Sequence, residues 1–172
     1  MDPDLYILSW QIILGGSSAK FWQLIKRFGS AKEAWQVSEK ALLAEKLFEP
    51  DQLAEINKRR LAFSFEYWQR LMEQKEITYL DYQSKEYPDS LKNIYNSPPG
   101  LFMRGNPELL HRPMLAMVGA RRPTNYGLSV ARKFGREIAE AGVIVVSGLA
   151  KGIDAAAHEA ALSGGGSTLA GV

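Results

Sequence analysis

Residues 114–172 read MLAMVGARRPTNYGLSVARKFGREIAEAGVIVVSGLAKGIDAAAHEAALSGGGSTLAGV. Three short apolar runs, Met114–Val118, Val143–Val146 and Ser167–Val172, alternate with two stretches of helical spacing, Tyr126–Ala141 and Ile153–Leu162. Continuous apolar strands separated by helices of that length predict a βαβαβ unit with a buried parallel sheet. The first helix carries Val130, Phe134 and Ile138 at i, i+4 and i+8 and is expected to bury that stripe. The second is rich in alanine (Ala155, Ala156, Ala157, Ala160, Ala161), so it can pack closely on the sheet. Gly164-Gly165-Gly166 reads as a flexible turn before the third strand.

Ligands of a parallel sheet sit outside the carboxyl ends of its strands, and both strand-to-helix junctions here are unusual. The first is Val118-Gly119-Ala120-Arg121-Arg122-Pro123-Thr124-Asn125-Tyr126-Gly127. Gly119 allows close backbone approach, Thr124 or Asn125 can cap the next helix, and Arg121 and Arg122 stand where a phosphate would lie. The second, Ser147-Gly148-Leu149-Ala150-Lys151-Gly152-Ile153-Asp154, again places a small residue, a glycine and a cation at a helix start. Asp154 falls in the first helical turn, where the dipole favours a carboxylate. Neither junction is a G-x-G-x-x-G fingerprint or a P-loop. Two cationic, glycine-containing junctions at one sheet edge predict an anion site. His158 lies four residues after Asp154 on the same helix face, so the two could form a local pair. Nothing else resembles a catalytic constellation, and no hydrolytic chemistry is expected.

Upstream, residues 1–75 read as a small helical bundle. Leu5, Leu8 and Ile12 follow helical spacing up to Gly15-Gly16. Ser17 or Ser18 can cap a second helix with Phe21, Leu24, Ile25 and Phe28, ending at Gly29, and Ser30 can cap a third. The run from Asp51 to Glu76 lacks Gly and Pro and carries a stripe of Leu61, Phe65, Trp68 and Met72. Two glycines between short helices are also reminiscent of a helix-hairpin-helix, whose hairpin amides hold DNA phosphates, but ILGGSS lacks the apolar residue usual between them. From residue 77 the period changes: Ile77–Leu80 and Leu101–Arg104 look like short strands, with Tyr87-Pro88, Ser97-Pro98-Pro99-Gly100 and Asn106-Pro107 as turns.

Composition bounds the rest. The 172 residues carry 21 Lys plus Arg against 19 Asp plus Glu, a net charge of +2, with 46% hydrophobic residues. That excludes disorder as the default state. No apolar run is long enough to span a membrane, and the acidic start MDPDLYILSW is not a signal peptide; a cytoplasmic protein is expected. The absence of cysteine removes disulfides, thiolate zinc sites and cysteine nucleophiles, and two histidines are too few for a metal cluster, so neither metal nor cofactor is expected. The balanced charge argues against a nucleic-acid binder only on average. Residues 100–136 hold Arg104, Arg112, Arg121, Arg122, Arg132, Lys133 and Arg136 against Glu108 alone, a net of +6.

VGARRPTNYG, followed about twenty residues later by VVSGLAKGIDAAAHEAAL, closely resembles the DNA-processing protein A family (DprA, also called Smf). YPDSLKNIYNSPPGLFMRGN resembles the lead-in to that family's Rossmann-like domain. The resemblance implies a small all-α domain of sterile-alpha-motif or helix-hairpin-helix type over 1–75. It further implies the first half of a Rossmann-like α/β domain over 76–172, in a chain that is a piece of a longer protein. It also implies a non-enzymatic, single-stranded DNA-binding protein of natural transformation that protects incoming strands, loads the RecA recombinase and forms a homodimer when complete. By motif match Arg121 is the principal phosphate ligand. Gly119, Ala120, Ser147, Gly148 and Lys151 complete the rim, Arg122 and Thr124 stand beside it, and Tyr126 can stack on a base. The alternative is a nucleotide-binding or phosphoribohydrolase-like relative of the same superfamily, whose PGG-x-GT loop is only faintly echoed by Gly164-Gly165-Gly166-Ser167-Thr168.

Overall fold

A computed structural model describes residues 4–172, and the chain divides into two compact units after Gly105. The first contains α1 (Leu5–Ile13), α2 (Ser18–Phe28), α3 (Ala31–Gln36), α4 (Glu39–Ala44), α5 (Pro50–Leu61) and α6 (Phe65–Gln74). Then follow β1 (Thr78–Asp81), the single turn α7 (Asp89–Lys92) and β2 (Gly100–Met103). Caps set the helix limits. Side chains of Asp4, Ser30, Ser38 and Ser64 accept from amides in the first turns of α1, α3, α4 and α6, and Gly29 at φ 88 closes α2. Ser17 precedes α2 without a side-chain cap bond. The run 51–76 is two helices rather than one, because the chain turns at 62–64 and Ser64 starts α6 afresh. Leu61 therefore ends α5 exposed, while Met72 is buried and Trp68 packs on the core. That core is built on Ile7, Leu8, Trp10, Phe21, Leu24, Leu42 and Leu53; Leu5 and Ile12 only flank it. Trp35 meets Trp10 edge-on at 5.5 Å and Phe65 at 5.6 Å.

β1 and β2 pair antiparallel, Thr78 opposite Met103 and Asp81 opposite Gly100. Side chains tie this pair to the helices. Gln11 Nε2 donates to the Gly100 carbonyl at 2.9 Å, Tyr79 Oη donates to Gln11 Oε1 at 2.7 Å, and Trp22 Nε1 donates to the Ser97 carbonyl at 2.7 Å. The two strands thus fold with the helices. The first compact unit is not all-helical, and it runs well past the division expected between 75 and 76.

The second unit opens with a short 3-10 helix (Pro107–His111) and continues as β3 (Met114–Ala116), α8 (Asn125–Glu140), β4 (Ile144–Ser147), α9 (Ile153–Ser163) and β5 (Thr168–Ala170). This is the βαβαβ order read from the sequence. The sheet is parallel with order β3-β4-β5, Leu115 opposite Val145 and Val146 opposite Leu169. Ala139, Val145, Ala157 and Ala161 form its core.

The buried stripe of α8 differs from the one expected. Ala131, Gly135 and Ala139 are buried, whereas Val130 and Ile138 are half-buried and Phe134 is 51% exposed. The reason is α9. A Cβ at Gly135 would lie 2.9 Å from the Ala157 carbonyl and 3.1 Å from Ala160 Cβ, so the helices meet at backbone distance and only small residues fit between them. Phe134, Val130, Tyr126 and Val118 instead line an open apolar groove beside β3. No helix among the described residues is long and apolar enough to cross a membrane.

Candidate nucleic-acid interface

β3 and β4 are parallel neighbours, so the loops that follow them leave the sheet at the same edge. They are in direct contact. Gly152 has φ 94 and ψ −124, and a Cβ there would lie 2.3 Å from the Ala120 carbonyl oxygen and 2.9 Å from Arg121 Cα. The Ile153 amide donates to that same Ala120 carbonyl at 3.2 Å. A Cβ on Gly119 would stand 2.8 Å from the Ile153 side chain. The glycines at these positions are required by loop-on-loop packing, and Arg121, Arg122 and Lys151 ride on the assembly they make.

Asp154 is the second lock. Its Oδ1 accepts from the Gly119 amide at 3.3 Å and its Oδ2 from the Gly148 amide at 3.2 Å, one from each junction. Burial by itself would raise this carboxyl. Hydrogen bonds from the Gly119 and Gly148 amides outweigh burial and hold it below the usual carboxylate range. An ionised side chain thus fills the position at the start of α9 where a bound anion would otherwise sit.

The expected site residues therefore divide into two groups. Gly119 and Gly148 give their amides to Asp154, Ala120 gives its carbonyl to Ile153, and Ser147 is buried with Oγ donating to the Met117 carbonyl at 2.6 Å. Thr124 caps α8, accepting from the Gly127 amide at 3.1 Å. These five build the edge. Arg121, Arg122, Lys151 and Tyr126 are exposed on it. Among the described residues the ion pairs are Arg27–Glu45, Arg59–Glu55, Lys92–Asp89, Arg104–Glu76 and Lys133–Glu137, so the three cations of the edge are unpaired. Tyr126, in the first turn of α8, is 80% exposed.

The basic window of 100–136 does not stand on the two junction loops as a whole. Arg104 lies in the first unit and pairs with Glu76, Lys133 pairs with Glu137 along α8, and Arg112 donates to the Gly142 carbonyl at 2.9 Å. Only Arg121 and Arg122 of that window stand on the loops.

His158 does not pair with Asp154. It is buried, and its Nδ1 lies 2.6 Å from Thr168 Oγ1, which itself donates to the Val145 carbonyl at 2.6 Å. Thr168 has one proton to give, so Nδ1 is the donor to it and the ring carries its hydrogen there. The triplet pins α9 to β5 and β4. Gly164 to Gly166 connect α9 to the amino end of β5, the sheet edge opposite the cations, and Gly166 packs on Ala139. They cannot serve as a nucleotide loop beside Arg121. In the first unit the Gly15 and Gly16 amides donate to the Ile12 and Gln11 carbonyls, which makes the glycine pair a helix C-cap with its amides already used. Sequence reasoning missed Leu149, which sits between Gly148 and Ala150 at φ 53. A leucine in SGLAKG carries no signal of that backbone state.

Comparisons with known proteins address the same residues. The model of the family "DNA recombination-mediator protein A" matches residues 78–172. DNA processing protein DprA of Bacillus subtilis is 40% identical over 54% of this chain and 32% of its own length. Protein Smf of Synechocystis is 31% identical over 98% of this chain and 44% of its own length. The X-ray structure of DNA processing protein A from Streptococcus pneumoniae superposes with a TM-score of 0.76 at 26% identity, covering 99% of this chain and 58% of that one. The chain spans less than half the length of these curated relatives.

Proposed function

The chain belongs to the DNA recombination-mediator protein A family, and from that premise we propose that it holds single-stranded DNA by its phosphates at the carboxyl edge of the β3–β4–β5 sheet. One observation carries this reading: Arg121, Arg122 and Lys151 are exposed and, among the described residues, unpaired on two loops locked together at Gly152 and Asp154. Arginine offers a planar fork to a phosphate and lysine a compact charge. Contacts of that kind ignore sequence and weaken as salt rises. Tyr126, exposed beside them, gives an unstacked base a ring to lie on, which a duplex does not offer.

The role proposed is binding without catalysis. Asp154 and His158, the two residues nearest to a catalytic pair, are both engaged in holding loops and strands. Protection of incoming strands in natural transformation, loading of RecA, homodimerisation and a cytoplasmic setting belong to the same proposal and rest on family membership.

The test is fluorescence anisotropy of labelled oligo-dT across a salt series. Three phosphate contacts on a single strand give a slope of log affinity on log salt of about −2. Arg121→Glu should weaken binding at least tenfold and flatten the slope. Unchanged affinity in that variant refutes the phosphate role. Release of free base from nucleoside monophosphates would favour the phosphoribohydrolase-like alternative instead.

A further inference from the structure

Three exposed apolar side chains share the sheet edge with the three cations. Val118 follows β3 and is 75% exposed, Tyr126 opens α8, and Leu149 follows β4 and is 60% exposed. Leu149 is the least expected of them. Both of its neighbours are clamped, Gly148 by the hydrogen bond its amide donates to Asp154 and Ala150 by its carbonyl accepting from the Ala155 amide at 3.1 Å. Between them Leu149 is held at φ 53, a left-handed conformation that disfavours a leucine. The side chain recovers little burial in return, and it projects from the short loop that also carries Lys151 and that packs, at Gly152, on the backbone of Arg121. An apolar side chain exposed on the loop that carries Lys151, with that loop packed on the backbone of Arg121, puts an apolar contact on the same surface as two cations, the two chemistries that bases and phosphates of a nucleic-acid strand call for.

We infer that Leu149 contacts a nucleobase of the bound strand, packing on the face of a base whose flanking phosphates are held by Arg121 and Lys151. The inference rests on the phosphate reading above and adds a specificity to it. In a duplex the base faces are stacked and closed to such a side chain; in a single strand they are open. Leu149 therefore discriminates strands with accessible bases from a bare sugar–phosphate chain, whereas the cations do not.

The experiment compares a fluorescein-labelled dT oligomer with an abasic oligomer of equal length and phosphate count, using the full chain and its Leu149→Gly and Arg121→Glu variants. Glycine adopts φ 53 freely, so Leu149→Gly keeps the loop and should melt no lower than the parent. The parent is expected to bind dT about tenfold or more tighter than the abasic oligomer. Leu149→Gly should lose about tenfold in dT affinity, the scale set by burying a leucine side chain, with abasic affinity unchanged. Arg121→Glu should weaken both oligomers. A dT-to-abasic ratio in Leu149→Gly equal to the parent's overturns the base contact and leaves the phosphate site standing. Failure of the parent to bind either oligomer overturns both.

Discussion

Replacing Gly152 by alanine tests whether the two junctions form one structure. At φ 94 and ψ −124 a side chain costs about 1–3 kcal/mol in backbone strain alone. The new Cβ would begin 2.3 Å from the Ala120 oxygen and 2.9 Å from Arg121 Cα. Restoring ordinary contact distances requires the first loop to withdraw by about 1 Å. Withdrawal breaks the 3.2 Å bond from the Ile153 amide to Ala120, a further loss of about 0.5–1.5 kcal/mol. The sum is about 1.5–4.5 kcal/mol, a large part of the stability of a small unit. Hydrogen exchange read by mass spectrometry localises the effect. Amides of α8 and α9 should exchange about 10- to 2000-fold faster at neutral pH, since each 1.36 kcal/mol is a factor of ten. Tryptophan fluorescence supplies the internal control, because Trp10, Trp22, Trp35 and Trp68 all lie before Gly105; its urea transition should not move. Oligo-dT affinity should fall at least tenfold as Arg121 and Lys151 lose their spacing. Unchanged exchange in α9 together with retained affinity would refute the claim that the loops are locked at Gly152.

Three further substitutions probe the framework. The folded-state carboxyl of Asp154 is held low, so its stabilising bonds are complete above the unfolded value near 4 and are lost as pH falls through the folded value; Asp154→Asn should show accelerated α9 exchange already at pH 7 and a flattened acid response. Tyr79 is shifted upward by burial first and then by the charges of Asp81 and Asp4. Its contribution is therefore complete below about pH 10 and lost above it, and Tyr79→Phe should abolish that alkaline loss while costing about 0.5–1.5 kcal/mol for the bond to Gln11 in a tryptophan-detected urea titration. Gly135→Val should destabilise the second unit by about 2–3 kcal/mol, seen as an earlier circular-dichroism transition, because its Cβ would start 2.9 Å from the Ala157 carbonyl.

The βαβαβ order was legible because its signals are local. Apolar runs, helical spacing and the threonine cap each act within a few residues, and the structure places β3, α8, β4, α9 and β5 within about two residues of the sequence reading. The exposed half of the candidate edge was legible for the same reason, since two cations after a strand end stand out in a string. What sequence could not show is partner choice between distant groups. Nothing in it says that Asp154 takes the Gly119 and Gly148 amides in preference to His158, four residues away. Nor does periodicity reveal that α8 turns Gly135 inward and leaves Phe134 in a groove, because the closeness of α9 decides which face is buried. The strands at 78–81 and 100–103 were visible, yet their attachment to the helices rests on Gln11, Tyr79 and Trp22, residues far apart in the chain.

The carboxylate of Asp154 also bears on what kind of phosphate ligand the edge suits. In dinucleotide-binding folds the amides at the first strand-to-helix turn and the helix start hold the pyrophosphate, and glycines let it approach. Here Gly119 and Gly148 serve a carboxylate supplied by the chain itself, and the space a Cβ would take at Gly119 and Gly152 is filled by Ile153 and by Ala120 with Arg121. A free nucleotide would find no amide cradle at these glycines, and it would need a concave site enclosing most of its surface to bind well. The positive charge left over stands outside, on Arg121, Arg122 and Lys151, none of them drawn into an ion pair among the described residues. Exposed cations without an amide cradle gain little from one phosphate and more from several in succession, so the same arrangement that weakens the case for a mononucleotide strengthens the case for a polymer.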